Sequence, residues 1–195
     1  MTPLALLRHF PTDWNGEGRL QGRVDRPLTA EARATLAALA PPPPWDRARV
    51  VASPLSRAQE TARALWPAVE TDARLVELDW GAWEGLRPRD LLADPASGFV
   101  PMERWGWTRR PPGGESPADG WARVAPLLAE IAADGRATAL VLHRGLMRVI
   151  LAEAHGWRYD APEPFAIKRG RLCPLALTRE GRPVAPAEPV RLIAR

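Results

Sequence analysis

Several residue types and segments are rare or missing in the sequence, and each absence excludes a class of protein or site. It has a single cysteine, Cys173, which excludes an internal disulfide. No apolar stretch approaches the roughly 20 residues of a membrane-spanning helix, so no membrane partner is expected. The three histidines and the dispersed acids lack the spacing of metal ligands, which predicts no metal and no cofactor. The first residues lack the basic start and apolar core of a signal peptide, so the expected compartment is the cytoplasm.

Lysine is also scarce, since Lys168 is the only lysine among 27 basic residues. The net charge of +4 and the pI of about 10.4 would suit a nucleic-acid-binding protein. However, the arginines are spread along the whole chain, and no basic cluster alternates with aromatic residues. We therefore expect no nucleic-acid partner.

What the sequence does contain is an alternation of short apolar strands and helices. Strands are predicted at 3–7, 49–52 and 138–142, with weaker ones near 172–177 and 189–194. Helices are predicted at 30–40 after the N-cap Thr29, from the N-cap Ser53 to about Trp66, at 117–133 and at 146–155. The polar stretch 10–28 is predicted to be a loop. This order predicts an α/β fold, a three-layer α/β/α sandwich with a largely parallel central sheet.

The length of 195 residues suits one domain and is short for two, which predicts a single domain over residues 1–195. The segment at about 86–116 is rich in Trp, Arg, Pro and Gly and has no clear periodicity. We expect it to form an irregular or partly helical lid. The sequence leaves the oligomeric state open, although tryptophans exposed in this segment would favour a homodimer.

Two histidines and two arginines are predicted to meet at one edge of the sheet. His9, preceded by Arg8, and His143 each follow an apolar strand, and Arg57 lies in the first turn after the 49–52 strand. Ligands of open α/β sheets bind at the carboxyl ends of the strands. Guanidinium groups make paired hydrogen bonds with phosphate, and an imidazole can attack phosphorus and leave again. The set therefore predicts a site for a dianionic phosphate.

The same edge is predicted to receive two helix N-termini. One helix would begin with Pro54 at its first position, and the other would begin near Gly145. Helix N-termini carry partial positive charge and unpaired N–H groups. Both are therefore expected to add to the attraction for phosphate.

Ordered segments between residue 6 and residue 145 resemble the motifs of the histidine phosphatase (phosphoglycerate mutase-like) superfamily. The segments are Leu6-Leu7-Arg8-His9 with Thr12, Asn15 and 18–22, then 25–29, 52–62, 77–85, 113–116 and 142–145. An Arg-His pair alone carries no information, but the ordered set is specific. The resemblance implies the phosphoglycerate mutase-like sandwich and a metal-independent phosphomonoesterase.

The resemblance also implies roles for individual residues. His9 would be the nucleophile that forms a phosphohistidine, and Glu77 would protonate the leaving oxygen and then help water to attack. Asp79 and Glu84 compete with Glu77 for the acid role, and the motif alignment favours Glu77. The residues implied or proposed to bind the phosphoryl group are Arg8, Asn15, Gln21, Gly22, Arg57 and His143.

Two positions depart from the family pattern. Phe10 stands where the family usually has glycine, and we expect it to narrow or reshape the pocket. Arg144 follows the second histidine where a small residue is common. One interpretation points Arg144 to solvent. The other adds it to the substrate-binding residues, where it would bind a second acidic group.

Three functions follow in order of preference. The first is hydrolysis of a small phosphorylated metabolite through a phosphohistidine on His9. The second is mutase chemistry, in which the phosphohistidine returns its phosphate to a sugar-acid substrate. The third is a non-catalytic phosphate-binding or regulatory module, which only Phe10 supports. The sequence does not name the substrate.

Overall fold

The computed structural model describes residues 1–195 and is built around a seven-stranded sheet with the order β4-β3-β5-β1-β6-β7, in which β8 also pairs with β6. Strands β4, β3, β5 and β1 run parallel to one another, and β6 is antiparallel to β1. The strands are β1 Thr2–Arg8, β2 Leu39–Ala40, β3 Arg49–Ala52, β4 Glu70–Thr71, β5 Thr138–Leu142, β6 Arg171–Leu177, β7 Pro183–Val184, β8 Val190–Arg191 and β9 Ile193–Ala194.

Helices cover both faces of this sheet. They are α1 Asp13–Glu17, α2 Ala30–Ala37, α3 Ser56–Leu65, α4 Pro88–Ala93, α5 Pro117–Asp134 and α6 Arg144–His155. None of them is long and apolar enough to pass through a lipid bilayer.

Two cores, one on each face, make the fold a three-layer sandwich. Leu4 and Leu6 of β1 belong to the larger core with α5 and α6, whereas Ala5 and Leu7 belong to the core with α2 and α3. This division follows from the strand itself, because successive side chains point to opposite faces. All four side chains are fully buried, which is typical of a central parallel strand covered on both sides. The predicted fold class is confirmed.

Three local predictions were wrong. The 10–28 stretch contains α1, whose first turn is held by the Thr12 N–H donating to Asn15 Oδ1 (3.0 Å). Helix α2 ends at Ala37 because the next residues pair with β9 as strand β2. Helix α3 begins at Ser56 with Leu55 as N-cap. Ser53 does not cap it, because the helix begins three residues later, and the Ser53 hydroxyl is bonded to His143 instead (2.8 Å).

The segment between β4 and α5 consists of short turns rather than long elements. Besides α4 it has four 3-10 turns, at Ala73–Leu75, Gly81–Trp83, Pro95–Ser97 and Met102–Arg104. Its packing comes from aromatic rings, with Trp83 in contact with Phe99 (5.0 Å between ring centroids) and Trp105 (6.0 Å). The indole N–H groups of Trp83 and Trp105 donate to backbone carbonyls of this segment. The expected irregular, partly helical conformation is observed.

Candidate active site

Strands β3, β5 and β1 are neighbours, and their carboxyl ends bring the two predicted histidines together. The backbone N–H of His9 donates to the carbonyl of Leu142, the last residue of β5 (3.0 Å). The imidazole rings of His9 and His143 lie 5.1 Å apart between centroids. Both residues are buried, so the shared edge is an interior site and not a surface patch.

The hydrogen bonds of His9 fix its tautomer. Its Nδ1 lies 2.7 Å from the carbonyl oxygen of Phe10. A carbonyl can only accept, so Nδ1 carries the proton and Nε2 of the neutral ring keeps its lone pair. Burial, and then the positive charge of Arg57, lowers the pKa of His9 well below its usual value. The ring is therefore neutral near pH 7, with one nitrogen free to attack.

His143 is held by a different pair of groups. The Arg57 Nε donates to His143 Nδ1 (3.2 Å), and His143 Nε2 lies 2.8 Å from the Ser53 hydroxyl. Because Arg57 can only donate, Nδ1 accepts and the neutral ring carries its proton on Nε2. Burial and then Arg57 lower the pKa of His143 well below its usual value. Ser53, expected only as a helix cap, is thus a neighbour of the site.

Arg57 is fully buried and lies behind the histidines. Two of its nitrogens donate to the carbonyls of Val24 (3.0 Å) and Gly22 (2.6 Å). The N–H of Gly22 donates to the Glu84 carboxylate (2.9 Å). Gly22 therefore holds Arg57 through its carbonyl and does not itself face the cleft. The Arg57 guanidinium forms no ion pair, and its positive charge acts on both His9 and His143.

Glu77 is the only one of the three candidate acids that lines the cleft. Glu84 accepts from the N–H groups of Gly22 and Val24, and Asp79 accepts from the N–H of Gly81. Burial raises the pKa of Glu77, although three backbone N–H groups and Arg57 act in the opposite direction. The net direction favours a carboxyl that can hold a proton.

The Glu77 carboxylate also corrects the prediction about helix N-termini. It accepts from the N–H of Gly145 (2.8 Å) and of Leu146 (2.9 Å), which are donors in the first turn of α6. At the start of α3, Asp25 accepts from the N–H of Ser56 (2.8 Å). Both helix ends are satisfied by carboxylates of the protein. Position 145 has no room for a side chain, because a Cβ there would lie 2.5 Å from Glu77 Oε1.

A cleft of about 350 Å³ opens above these residues, a size that suits a small metabolite. Its polar lining includes Arg8, His9, Asn15, Gln21, Glu77, Arg144 and Arg148. Asn15 and Gln21 both use their carbonyl oxygens to bond Thr12, and the Gln21 Nε2 is buried without a hydrogen-bond partner. Trp80, Leu92, Phe99 and Met102 form the opposite, apolar wall.

Phe10 does not narrow this cleft as predicted. Its backbone does not adopt positive φ, and its ring is buried in the core with α2 and α3. Its N–H donates to the Thr61 hydroxyl (3.0 Å), which in turn donates to the carbonyl of Arg57 (2.8 Å). Phe10 thus ties the His9 loop to α3, and no feature of the position requires glycine.

Sequence reasoning missed a group of charged residues beside Arg8. Arg148 of α6 is paired with Glu163 and Glu103, and Arg169 donates from its Nε to the carbonyl of His9 (3.3 Å). The i, i+4 spacing of Arg144 and Arg148 on α6 was the one signal that could have revealed part of this group. No three His, Cys, Asp or Glu side chains lie together in a way that could hold a metal ion.

The site has a neutral imidazole with a free nitrogen, surrounded by guanidinium groups at the edge of an α/β sheet. Such a site is typical of enzymes that transfer a phosphoryl group through a covalent histidine intermediate. Residues 4–185 match the histidine phosphatase superfamily (branch 1). The chain belongs to this family, as its motifs predicted.

Three relatives show how similar the chain is to known members of this family. The chain is 34% identical over 168 residues to the glucosyl-3-phosphoglycerate phosphatase of Mycobacterium tuberculosis (strain ATCC 25618 / H37Rv), which covers 76% of this chain and 73% of that protein. It is 36% identical over 149 residues to the "Probable phosphoglycerate mutase GpmB" of Enterobacter sp. (strain 638), covering 67% and 63%. The solved structure of a mycobacterial glucosyl-3-phosphoglycerate phosphatase with VO3 has a TM-score of 0.75 and 29% identity, covering 90% and 93%.

Proposed function

We propose that this protein hydrolyses a small phosphomonoester by transferring the phosphoryl group first to His9 and then to water. One observation carries the proposal: the Nδ1–H of His9 donates to the Phe10 carbonyl, which leaves Nε2 as a nucleophile in a cleft lined by arginine.

In the first step, His9 Nε2 forms a bond to phosphorus while the bond from phosphorus to the ester oxygen breaks. Glu77 supplies the proton that the departing oxygen needs, consistent with its raised pKa. In the second step, a water oxygen bonds to phosphorus while the bond from phosphorus to His9 Nε2 breaks, Glu77 takes a proton of that water, and inorganic phosphate leaves. The same carboxyl therefore acts as acid and then as base.

The remaining residues stabilise the charge on the phosphoryl group. Arg8 lines the cleft next to His9, and its Nε is buried without a partner, so it is free to donate to a phosphoryl oxygen. Asn15 and Gln21 have their carbonyl oxygens occupied, which leaves their NH₂ groups as donors. Arg57, buried behind His9, contributes positive charge, and its hydrogen bond to the neutral His143 fixes the position of that ring.

Phosphoglycerate mutase-like transfer is the second candidate, because one relative carries a mutase name. The two reactions share the phosphohistidine and differ in the acceptor, water or a second substrate hydroxyl. The third candidate, a non-catalytic module, loses its only support because Phe10 lies away from the cleft.

The test uses p-nitrophenyl phosphate with excess chelator, in the wild type and in His9→Ala. We expect turnover that survives the chelator and is lost in the variant. Turnover by His9→Ala at the wild-type rate would contradict the proposal. Partition of the phosphoenzyme between water and added glycerate then separates hydrolase from mutase.

A further inference from the structure

More arginine surrounds the reacting position than one phosphoryl group needs. Arg8, Arg144 and Arg148 line the cleft, and Arg169 donates to the His9 carbonyl from the loop before β6. After burial, repulsion from Arg169 and Arg144 is the next cause that lowers the pKa of Arg8, to about 9. Arg144 also lowers the pKa of Arg169. Three guanidinium groups of this set thus line the cleft, and a fourth lies behind His9.

The acids in this region do not neutralise the cluster evenly. Arg148 lies 2.5 Å from Glu163 and 2.9 Å from Glu103, so its charge is fully paired. Arg144 shares Glu163, but at the longer distance of 3.3 Å. Glu77 is occupied by backbone N–H groups. Arg144 can thus turn to another anion while Glu163 stays paired with Arg148.

Two donors in the cluster have no partner at all. Arg8 and Arg169 form no ion pair, and Arg8 Nε and Arg169 Nη2 are buried atoms without a hydrogen bond. Buried donors of this kind are rare, because leaving them unpaired is costly. Arg8 is accounted for by the phosphoryl group on His9. Arg144 remains, because Arg169 lies behind His9 and does not line the cleft.

Arg144 stands nearer to the mouth of the cleft than Arg8. Its side chain is 43% exposed, whereas the Arg8 Nε has no contact with solvent. A part of the substrate that extends outward from the reacting phosphate would therefore pass Arg144 after Arg8. A guanidinium in that position recognises a carboxylate or a phosphate through paired hydrogen bonds.

We propose that Arg144 binds a second anionic group of the substrate. The preferred substrates are then phosphomonoesters that carry a carboxylate or another phosphate a few bonds from the reacting phosphoryl group. This assignment rests on the proposed function of the same cleft and names its substrate class.

The test combines protein variants with matched substrates. kcat/KM is measured for 3-phosphoglycerate and glycerol 3-phosphate, which differ in the carboxylate, and for fructose 1,6-bisphosphate and fructose 6-phosphate, which differ in one phosphate. The wild type is expected to prefer the more anionic member of at least one pair. The pair that shows the preference identifies the second anionic group as a carboxylate or a phosphate. Arg144→Gln should reduce that preference about 10- to 100-fold, the size of a lost charge-assisted hydrogen bond.

Arg179→Gln is the control, because it removes an exposed arginine in the turn after β6. It should leave the preference within about twofold, as expected for a distant site. Arg144→Lys keeps the charge but cannot make the paired hydrogen bonds, so it should recover only part of the preference. An unchanged preference in Arg144→Gln, or a wild type without any preference, would overturn the subsite while p-nitrophenyl phosphate turnover keeps the proposed function. A wild type that hydrolyses no phosphomonoester would overturn both.

Discussion

The two sides of the cleft are built in different ways. The floor, formed by His9 and Glu77 with Arg57 and His143 behind them, is buried, and every one of these side chains is held by hydrogen bonds to backbone or to another of the four. The lid wall, the apolar side formed by Trp80, Leu92, Phe99 and Met102, comes from short turns and the short helix α4, and ring contacts hold Trp80 and Phe99. The floor is therefore suited to positioning reacting atoms, and the lid wall to contacting the rest of a substrate. Changes in the floor should act on kcat, and changes in the lid wall on KM.

The largest effect is expected from Gly145→Ala in the floor. The new methyl would lie 2.5 Å from Glu77 Oε1 and must displace that carboxylate. Loss of a positioned general acid lowers kcat about 10²- to 10⁴-fold for an alkyl phosphate. Steady-state kinetics check this, with Gly16→Ala as the control, since a Cβ at position 16 meets nothing within 4 Å. Equal activities of the two variants would contradict the assigned position of the acid.

The pH dependence sharpens the role of Glu77. Its raised pKa means that the carboxyl holds the proton needed for the first step below that pKa and loses it above. The rate with a poor alkoxide leaving group should therefore fall as pH rises through the pKa. Glu77→Gln should abolish this fall in rate. The rate with p-nitrophenyl phosphate should fall little over the same pH range, because its leaving group needs no proton. If the rate of Glu77→Gln still falls over this pH range, another group is the general acid.

A smaller effect is expected at Ser53, which lies below the floor. Ser53→Ala removes the partner of His143 Nε2 and leaves a buried donor unpaired. We expect a loss of about 1–3 kcal/mol in the free energy of unfolding. Urea denaturation measures this change, and an unchanged midpoint would show that the Ser53 hydroxyl does not hold the ring.

The smallest effect is expected in the lid wall. Leu92 lines the cleft but is 55% exposed, so Leu92→Ala should change the free energy of unfolding by no more than about 0.5 kcal/mol. It should raise KM for a bulky substrate by a few fold and leave kcat nearly constant. A fall in kcat with constant KM would contradict the claim that the lid wall acts on KM and the floor on kcat.

More of the floor than of the rest of the cleft could be predicted from the sequence. Apolar runs identify β1, β3 and β5, and a parallel sheet forces their carboxyl ends, with His9 and His143, to one edge. The partners of these residues could not be predicted. Ser53 meets His143 from 90 positions away, and Glu77 meets α6 from 68 and 69 positions away, and no local pattern encodes either contact.

Arg169 and the lid wall were beyond sequence reasoning for a different reason. Arg169 is one arginine among many, and only the fold places it behind His9. The lid segment has no helical or strand periodicity, so its shape depends on which aromatic rings pack together.

The most direct test of the account is the mass of the protein trapped during turnover. Rapid mixing with p-nitrophenyl phosphate and quenching in base should give a species heavier by one HPO₃ group. Peptide mapping should place that group on His9, stable in base and labile in acid, and His9→Asn should lack it. A phosphoryl group on another residue, or full turnover with no covalent species at any time, would contradict a phosphohistidine mechanism.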